Sequence, residues 1–162
     1  MPTRILFVCM GNICRSPAAE GVFRHLLQRE APTWLERITI DSAGTHHYHV
    51  GRPPDPRMVE AALARGMDLS HLRARRVVPE DFTIFSHILV MDQANLAHLQ
   101  AMQPHDARGI PELIMAPLSD GRPREVPDPY YGGPRGFDHV LDLLEEGCLD
   151  LMLRLRPLME TS

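Results

Sequence analysis

Short, uninterrupted apolar runs alternate along this chain with longer segments in which apolar residues recur every three or four positions. Runs of the first kind are typical of strands covered on both faces, and they occupy residues 5–8, 38–40 and 88–91, with a weaker one near residues 114–115. Segments of the second kind predict helices after residue 16, over residues 55–66 and 93–102, and from residue 137 onward. Between them, residues 119–135 are rich in Pro, Gly and Asp and predict a long surface loop.

The alternation of strands and helices predicts the fold class. Parallel strands joined by helices need right-handed crossovers, and these place helices on both faces of the sheet. The 162 residues of the chain are enough to bury one core, and no repeat or composition change divides them. We therefore expect a single α/β domain over residues 1–162.

Composition narrows the class of function. Hydrophobic residues make up 44% of the chain without a long apolar run, so we expect neither a membrane span nor a disordered protein. The net charge of −4 argues against a nucleic-acid binder that relies on bulk electrostatics. Three cysteines do not make a disulfide framework, and residues 1–4 lead into a strand without a signal-like segment. These features favour a cytoplasmic protein.

The segment CMGNICRSP, which starts at Cys9, follows the first predicted strand directly. Ser16 is predicted to cap the next helix, with Pro17 at its first position, and Gly11 and Asn12 tolerate the positive φ that a curled loop requires. Backbone N–H groups and the positive helix end would converge on an anion, and they favour thiolate over thiol at Cys9. The pattern indicates phosphoryl transfer through a cysteine. A buried structural thiol in a tight turn is the alternative.

Other polar residues are predicted to meet this loop at one edge of the sheet. Open parallel sheets bind ligands beyond the carboxyl ends of their strands. Cys9, residues 41–45 and Asp92 all follow predicted strands, and the long loop around Asp128 can return to the same rim.

Four segments carry a resemblance to a known family. The segment from residue 5 to residue 20 resembles the signature of the low-molecular-weight protein tyrosine phosphatases, and the matches in DSAGT, in MD with the NL that follows, and in PDPYYGG occur in the family's order. The resemblance implies a three-layer domain with a central four-stranded parallel sheet, and neither a metal nor another cofactor. It also implies phosphotyrosine proteins as substrates, inorganic phosphate or other oxyanions as inhibitors, and no nucleic-acid or membrane partner.

The resemblance assigns three catalytic roles. Cys9 is the nucleophile that forms a cysteinyl-phosphate, a role suited to a thiolate in an anion-binding loop. Arg15 presents two guanidinium N–H groups to two phosphoryl oxygens, a fork that Lys lacks. Asp128 is the general acid, because a tyrosyl leaving group with a pKa of about 10 needs a proton. The phosphate-binding residues are Met10, Gly11, Asn12, Ile13, Cys14, Arg15 and Ser16. The resemblance also gives the Ser16 hydroxyl the task of donating to the Cys9 sulfur, and Asn12 is expected to brace the loop through a neighbour such as Ser42.

Three tyrosines are predicted to form the walls of a slot for a planar phenol. Tyr130 and Tyr131 lie beside the acid, and Tyr48 occupies a position where family members often carry an aromatic residue. The resemblance further implies a reversible disulfide between Cys9 and Cys14. Buried aromatics and a small packed cysteine are the corresponding structural alternatives.

Alternative functions remain open at this stage. Thiol-dependent arsenate reduction uses a similar loop but needs further reactive cysteines, and Cys148 occupies a core-like position. Protein-arginine dephosphorylation is less favoured because Ile13 stands where a smaller polar residue would be expected. A non-enzymatic anion-binding or redox-sensing module would use Cys9 and Cys14 without turnover. The histidines of residues 46–49 match no usual metal-ligand spacing, and a solvated loop is the preferred interpretation.

Overall fold

The computed structural model describes residues 2–118 and 125–160. Its strands are β1 (Thr3–Cys9), β2 (Ile38–Gly44), β3 (His87–Val90) and β4 (Pro111–Leu113). Its helices are α1 (Arg15–Glu30), α2 (Pro56–Leu63), α3 (Asp81–Ile84), α4 (Gln93–Met102) and α5 (Pro134–Glu160). Short 3₁₀ helices cover Pro32–Glu36 and Ala116–Leu118.

In these described residues the four strands form one parallel sheet in the order β2-β1-β3-β4. Side chains alternate along a strand, so β1 places Ile5 and Phe7 on one face of the sheet and Leu6 and Val8 on the other. The first pair belongs to a core cluster built with α1, α2 and α5, and the second to a cluster built with α3 and α4. The predicted three-layer α/β architecture is therefore confirmed.

Two of the predicted elements are displaced in the structure. The weak strand expected near residues 114–115 is β4, which covers Pro111–Leu113 and therefore begins three residues earlier. Ile114 and Met115 are buried against α5 instead, where a Cβ on Gly147 would lie 3.1 Å from each of their side chains. Of the predicted loop over residues 119–135, residues 119–124 lie outside the described residues, and α5 begins before the loop was expected to end.

The helix after the cysteine loop (residues 9–16) begins differently from the prediction. Cys14 occupies the cap position of α1 and makes no side-chain cap hydrogen bond, so Ser16 is not the cap. The Ser16 hydroxyl lies 3.0 Å from Cys9 Sγ and is fully buried. The preference of serine for cap positions did not decide the start of this helix, because the Ser16 hydroxyl bonds Cys9 and Asn12 within the loop instead.

The sheet order determines where a ligand would bind. The connections from β1 and β3 leave their carboxyl ends on opposite sides of the sheet, which opens a crevice between these two central strands. Cys9 ends β1, and Asp92 follows β3 as the cap of α4. Among the described residues, no helix has the length and apolar character needed to cross a membrane.

Candidate active site

The Cys9 sulfur lies at the base of the cysteine loop and is almost completely buried. The backbone N–H of Asn12 donates to it at 3.3 Å, and Ser16 Oγ lies 3.0 Å away on the other side. Hydrogen-bond donors around a sulfur stabilise its negative charge. The loop thus places two groups, the Asn12 N–H and the Ser16 hydroxyl, where they can stabilise a thiolate.

Asn12 gives the loop its shape. Its φ of 58° is the positive-φ conformation predicted for this turn, whereas Gly11 does not adopt one. The side-chain amide donates to Ser16 Oγ at 2.7 Å and to Ser42 Oγ at 3.0 Å, and its oxygen accepts the Arg75 N–H at 3.0 Å. The predicted contact with Ser42 is confirmed. These three bonds offset the cost of the left-handed conformation and fix the loop against β2.

Behind Asn12, the polar contacts continue to a buried carboxyl group. Ser42 Oγ donates to Glu20 Oε1 at 2.9 Å, and Arg24 donates to the other oxygen at 3.2 Å. Burial raises the pKa of Glu20, and nearby Asp41 adds to this, although the bonds from Ser42 and Arg24 oppose it. A continuous row of hydrogen bonds therefore connects Glu20 to the Cys9 sulfur.

The end of β2 lies directly against the cysteine loop. Thr45 N–H donates to the Cys9 carbonyl at 2.9 Å, and His46 N–H donates to the Met10 carbonyl at 3.0 Å. A Cβ on Gly44 would lie 2.7 Å from that Met10 oxygen, so a larger residue cannot fit without moving backbone. The small residues of the DSAGT segment thus have a packing reason.

Arg15 is buried and is held by groups from two distant parts of the chain, Asp92 and the segment around residues 126–128. Its Nη1 donates to Asp92 Oδ2 at 2.6 Å and to the Val126 carbonyl at 3.1 Å, while Nη2 lies 3.7 Å from Asp128 Oδ2. Burial alone would lower the pKa of Arg15, but the charges of Cys9, Asp92 and Asp128 outweigh it and raise the pKa. The guanidinium is therefore a fixed positive charge at the base of the site.

The sequence placed Asp92 at the edge of the sheet and within the family match, without a role. In the structure it both orients Arg15 and caps α4, through a capping box in which its Oδ1 accepts the Asn95 N–H at 2.8 Å. An Asp directly before a predicted helix is the sequence signal for such a cap. Its pairing with Arg15 arises from the topology and has no local signal.

Asp128 lies in the aspartate loop (residues 125–133), whose described residues return to the rim as predicted. Its side chain is 36% exposed, and its Oδ1 accepts the N–H of Tyr130 at 3.0 Å. Val126 holds the start of this loop against β3, donating its N–H to the Met91 carbonyl at 2.8 Å. The sulfur at the base and the carboxyl group at the rim border the same cavity.

That cavity has a volume of about 340 Å³ and includes most of the predicted site residues. Its lining is Cys9, Met10, Gly11, Ile13, Cys14, Arg15, Tyr48, His49, Asp128, Tyr130 and Tyr131. Asn12 and Ser16, predicted among the phosphate-binding residues, are absent from this lining, and their side chains bond behind the loop. His49 was missed as a lining residue, and its ring would be 3.0 Å from a Cβ on Gly11.

The three predicted wall tyrosines differ in exposure. Tyr131 is 92% exposed and Tyr48 73% exposed, whereas Tyr130 is half-buried and packs edge-on against Tyr131 at a ring-centroid distance of 4.9 Å. The aromatic groups therefore surround the mouth of the cavity, with Tyr130 nearer the protein.

The cysteines form no disulfide, and the histidines of the described residues build no metal site. Cys9, Cys14 and Cys148 are free thiols. Burial raises the pKa of Cys14, and the charge of Asp55 adds to it, so this thiol is neutral near pH 7. Within residues 2–118 and 125–160, no three His, Cys, Asp or Glu side chains are grouped so that they could hold a metal ion.

Comparison with known proteins agrees with this geometry. The family model for low molecular weight phosphotyrosine protein phosphatases matches residues 4–160. A protein of that name from Schizosaccharomyces pombe is 43% identical over 134 residues, covering 83% of this chain and 85% of the relative. This chain belongs to the low molecular weight phosphotyrosine protein phosphatase family.

Solved structures extend the comparison. A protein tyrosine phosphatase from Entamoeba histolytica, with Hepes in its active site, superposes with a TM-score of 0.89 at 39% identity and covers 96% of this chain and 97% of that one. A Drosophila arginine phosphatase superposes with a TM-score of 0.85 at 28% identity and covers 95% and 97%. Hepes carries a sulfonate, so a relative of this chain holds an oxyanion-bearing molecule in its active site.

Proposed function

We propose that this protein is a protein-tyrosine phosphatase that hydrolyses phosphotyrosine through a cysteinyl-phosphate on Cys9, with Asp128 as general acid and base. One observation carries the proposal. A buried sulfur surrounded by hydrogen-bond donors and an exposed carboxyl group border the same cavity, and Arg15 lies at its base. Family membership supports the same activity.

The first step transfers the phosphoryl group to sulfur. The Cys9 thiolate attacks phosphorus, a sulfur–phosphorus bond forms, and the bond from phosphorus to the aryl oxygen breaks. Asp128 gives its proton to that oxygen, so that a neutral phenol leaves. Arg15 and the loop N–H groups match the charge on the three phosphoryl oxygens during the transfer.

The second step releases phosphate. The Asp128 carboxylate takes a proton from a water molecule as that water attacks phosphorus, and the sulfur–phosphorus bond breaks. Inorganic phosphate leaves and the thiolate returns, stabilised by the Asn12 N–H and the Ser16 hydroxyl. Asp92 keeps the guanidinium of Arg15 in place through both steps.

The mouth of the cavity supports an aryl substrate. Tyr48, Tyr130 and Tyr131 offer aromatic surface on which a planar ring can stack. The phosphorus of a shorter phosphoserine side chain would remain too far from the sulfur. We further propose that phosphotyrosine proteins are the substrates and that the enzyme, as a single domain, acts in the cytoplasm, where free thiols persist.

Protein-arginine dephosphorylation is the second candidate, because a structural relative is an arginine phosphatase. Ile13 is the residue that weighs against it, since it lines the cavity with an apolar side chain where a polar guanidinium would need a partner. Arsenate reduction would need a further accessible thiol, but Cys148 is fully buried in α5, with burial raising its pKa.

The test uses one peptide sequence carrying phosphotyrosine, phosphoserine or phosphoarginine, with the full chain in the presence of a chelator. We expect phosphotyrosine to be hydrolysed with a kcat/KM at least about 100-fold above the other two, since only its ring fills the slot. A preference for phosphoarginine would establish the second candidate. Turnover of none of the three would leave the anion-binding or redox-sensing function.

A further inference from the structure

Arg57, on the first turn of α2, lies beside the catalytic cavity and contacts the aspartate loop. Its Nη2 donates to the carbonyl oxygen of Tyr130 at 3.0 Å. The guanidinium carbon lies 5.4 Å from the centroid of the Tyr130 ring and 4.7 Å from that of Phe137 in α5. Arg57 thus contacts both the loop that carries the proposed acid and the helix that follows it.

The other side of Arg57 is bound to a buried carboxylate. Its Nε and Nη2 donate to the two oxygens of Asp55 at 3.0 and 2.8 Å. The Asp55 side chain is only 6% exposed, and these bonds lower its pKa. Asp55 is in turn attached to the cysteine loop, because its N–H donates to the Ile13 carbonyl at 2.8 Å.

These contacts form a direct path between the two catalytic loops. The Tyr130 N–H donates to Asp128, and the carbonyl of the same residue accepts from Arg57. We propose that Arg57 is a positioning residue that keeps the Asp128 carboxyl group over the Cys9 sulfur by linking Tyr130 to Asp55. This inference rests on the proposed function of the same site.

The loop is held differently at its two ends. Val126 fixes the start of the loop, because its N–H donates to the Met91 carbonyl and its own carbonyl accepts from the Arg15 side chain. Beyond Asp128, Arg57 supplies the contact with α2. Arginine suits this place because its planar group stacks against two rings while its N–H groups bind a carboxylate in a fixed fork. Lysine could keep the charge but not both arrangements.

The experiment compares Arg57→Met and Arg57→Lys with a matched control, Arg65→Met. Arg65, just beyond the end of α2, also binds α5 through ion pairs with Asp138, Asp142 and Glu145, and these three partners lie outside the aspartate loop. Two substrates are used: phenyl phosphate, whose leaving group needs a proton, and 4-nitrophenyl phosphate, whose leaving group needs little help. Inhibition by phosphate and the melting temperature are measured for each variant.

The ratio kcat/KM reports the transfer to sulfur and loss of the phenol, and not the later hydrolysis of the cysteinyl-phosphate that both substrates share. A misplaced acid therefore lowers kcat/KM mainly for the substrate whose leaving group needs a proton. For Arg57→Met we expect kcat/KM to fall about tenfold or more on phenyl phosphate and less than about threefold on 4-nitrophenyl phosphate, because small displacements of a catalytic group are costly. The inhibition constant for phosphate should be unchanged in Arg57→Met. The activity of Arg57→Lys should lie between those of Arg57→Met and the wild type, and Arg65→Met should match the wild type on both substrates. Equal losses on both substrates in the folded Lys variant, or no loss in either variant, would overturn the inference. An inactive wild type would instead overturn the proposed function and this inference with it.

Discussion

The cysteine loop and the aspartate loop face the same cavity but are built in opposite ways. Asn12, Arg15 and Ser16 are at most 3% exposed; Asn12 lies between β1 and α1, and Arg15 and Ser16 are the first residues of α1. Asp128 is one-third exposed and Tyr131 is almost fully exposed. Contacts distant in sequence hold both loops, but the hydrogen bonds among Cys9, Asn12 and Ser16 within the first loop are buried, whereas the bond from Tyr130 to Asp128 within the second is exposed.

This difference fits the roles proposed for the two loops, a phosphoryl cradle and a general acid. A cradle that matches phosphoryl oxygens must keep its geometry before the substrate arrives, and burial with satisfied hydrogen bonds provides that rigidity. An acid that serves a bulky leaving group must lie where the ring can reach it, and such a place is necessarily exposed. The two loops can therefore be perturbed separately.

The largest expected effect comes from the cysteine loop. Cys9→Ser should lower kcat by at least about 10⁴-fold, because a serine hydroxyl in this place is a far weaker nucleophile than a thiolate. Phosphate should still bind, since the loop N–H groups and Arg15 are unchanged. Calorimetric titration with phosphate and a rate assay measure the two properties. Cys148→Ala is the matched control and should keep its activity, while equal loss of turnover and of phosphate binding in Cys9→Ser would contradict the assignment.

The aspartate loop should give a smaller effect that depends on the leaving group. Asp128→Asn keeps an oxygen that can accept the Tyr130 N–H but has no proton to deliver. We expect kcat/KM, which reports only the transfer to sulfur, to fall by about 10²-fold for phenyl phosphate and much less for 4-nitrophenyl phosphate. Glu125→Gln, in the same loop, is the control and should change neither. A uniform loss across leaving groups would show that Asp128 is not the acid.

The smallest effect concerns the buried end of the hydrogen-bond row behind the cysteine loop. Burial raises the pKa of Glu20 above its ordinary value of 4.5, so just above pH 4.5 the folded protein retains a proton that the unfolded chain releases. The stability contribution of Glu20 is therefore complete below pH 4.5 and is lost as pH rises through the raised pKa. The glutamine in Glu20→Gln does not titrate. As the pH rises through the raised pKa of Glu20, the unfolding free energy of the wild type should therefore fall relative to that of Glu20→Gln.

Urea unfolding at several pH values measures this difference, with Glu60→Gln on the exposed side of α2 as the control. With rising pH, the wild type should lose unfolding free energy relative to Glu20→Gln. The difference between the wild type and Glu60→Gln should not change with pH. A gap for Glu20 that does not move would mean that the carboxyl group titrates normally in the folded state.

Local patterns predicted much of the fold. Apolar runs located the four strands, with β4 three residues early, and helix α4 has the bounds that periodicity indicated. The positive φ at Asn12 followed from the tolerance of asparagine for that conformation. Ser16 is the instructive failure, since a cap preference is worth only about 1 kcal/mol and a buried polar network outweighs it.

The sequence by itself determined the class of fold, because strand and helix periodicity are properties of short segments. It also supplied the candidates Cys9, Arg15 and Asp128, the last of them through the family resemblance of its motif. Only the tertiary structure decided which groups surround them: Asp92 on Arg15, Glu20 behind Asn12, and Arg57 between Asp55 and Tyr130. Asp92 is 77 residues from Arg15, and Tyr130 is 73 residues from Arg57, so only the packed fold brings these partners together. Contacts of that kind leave no periodic signal in a chain, since their geometry exists only after the layers have packed.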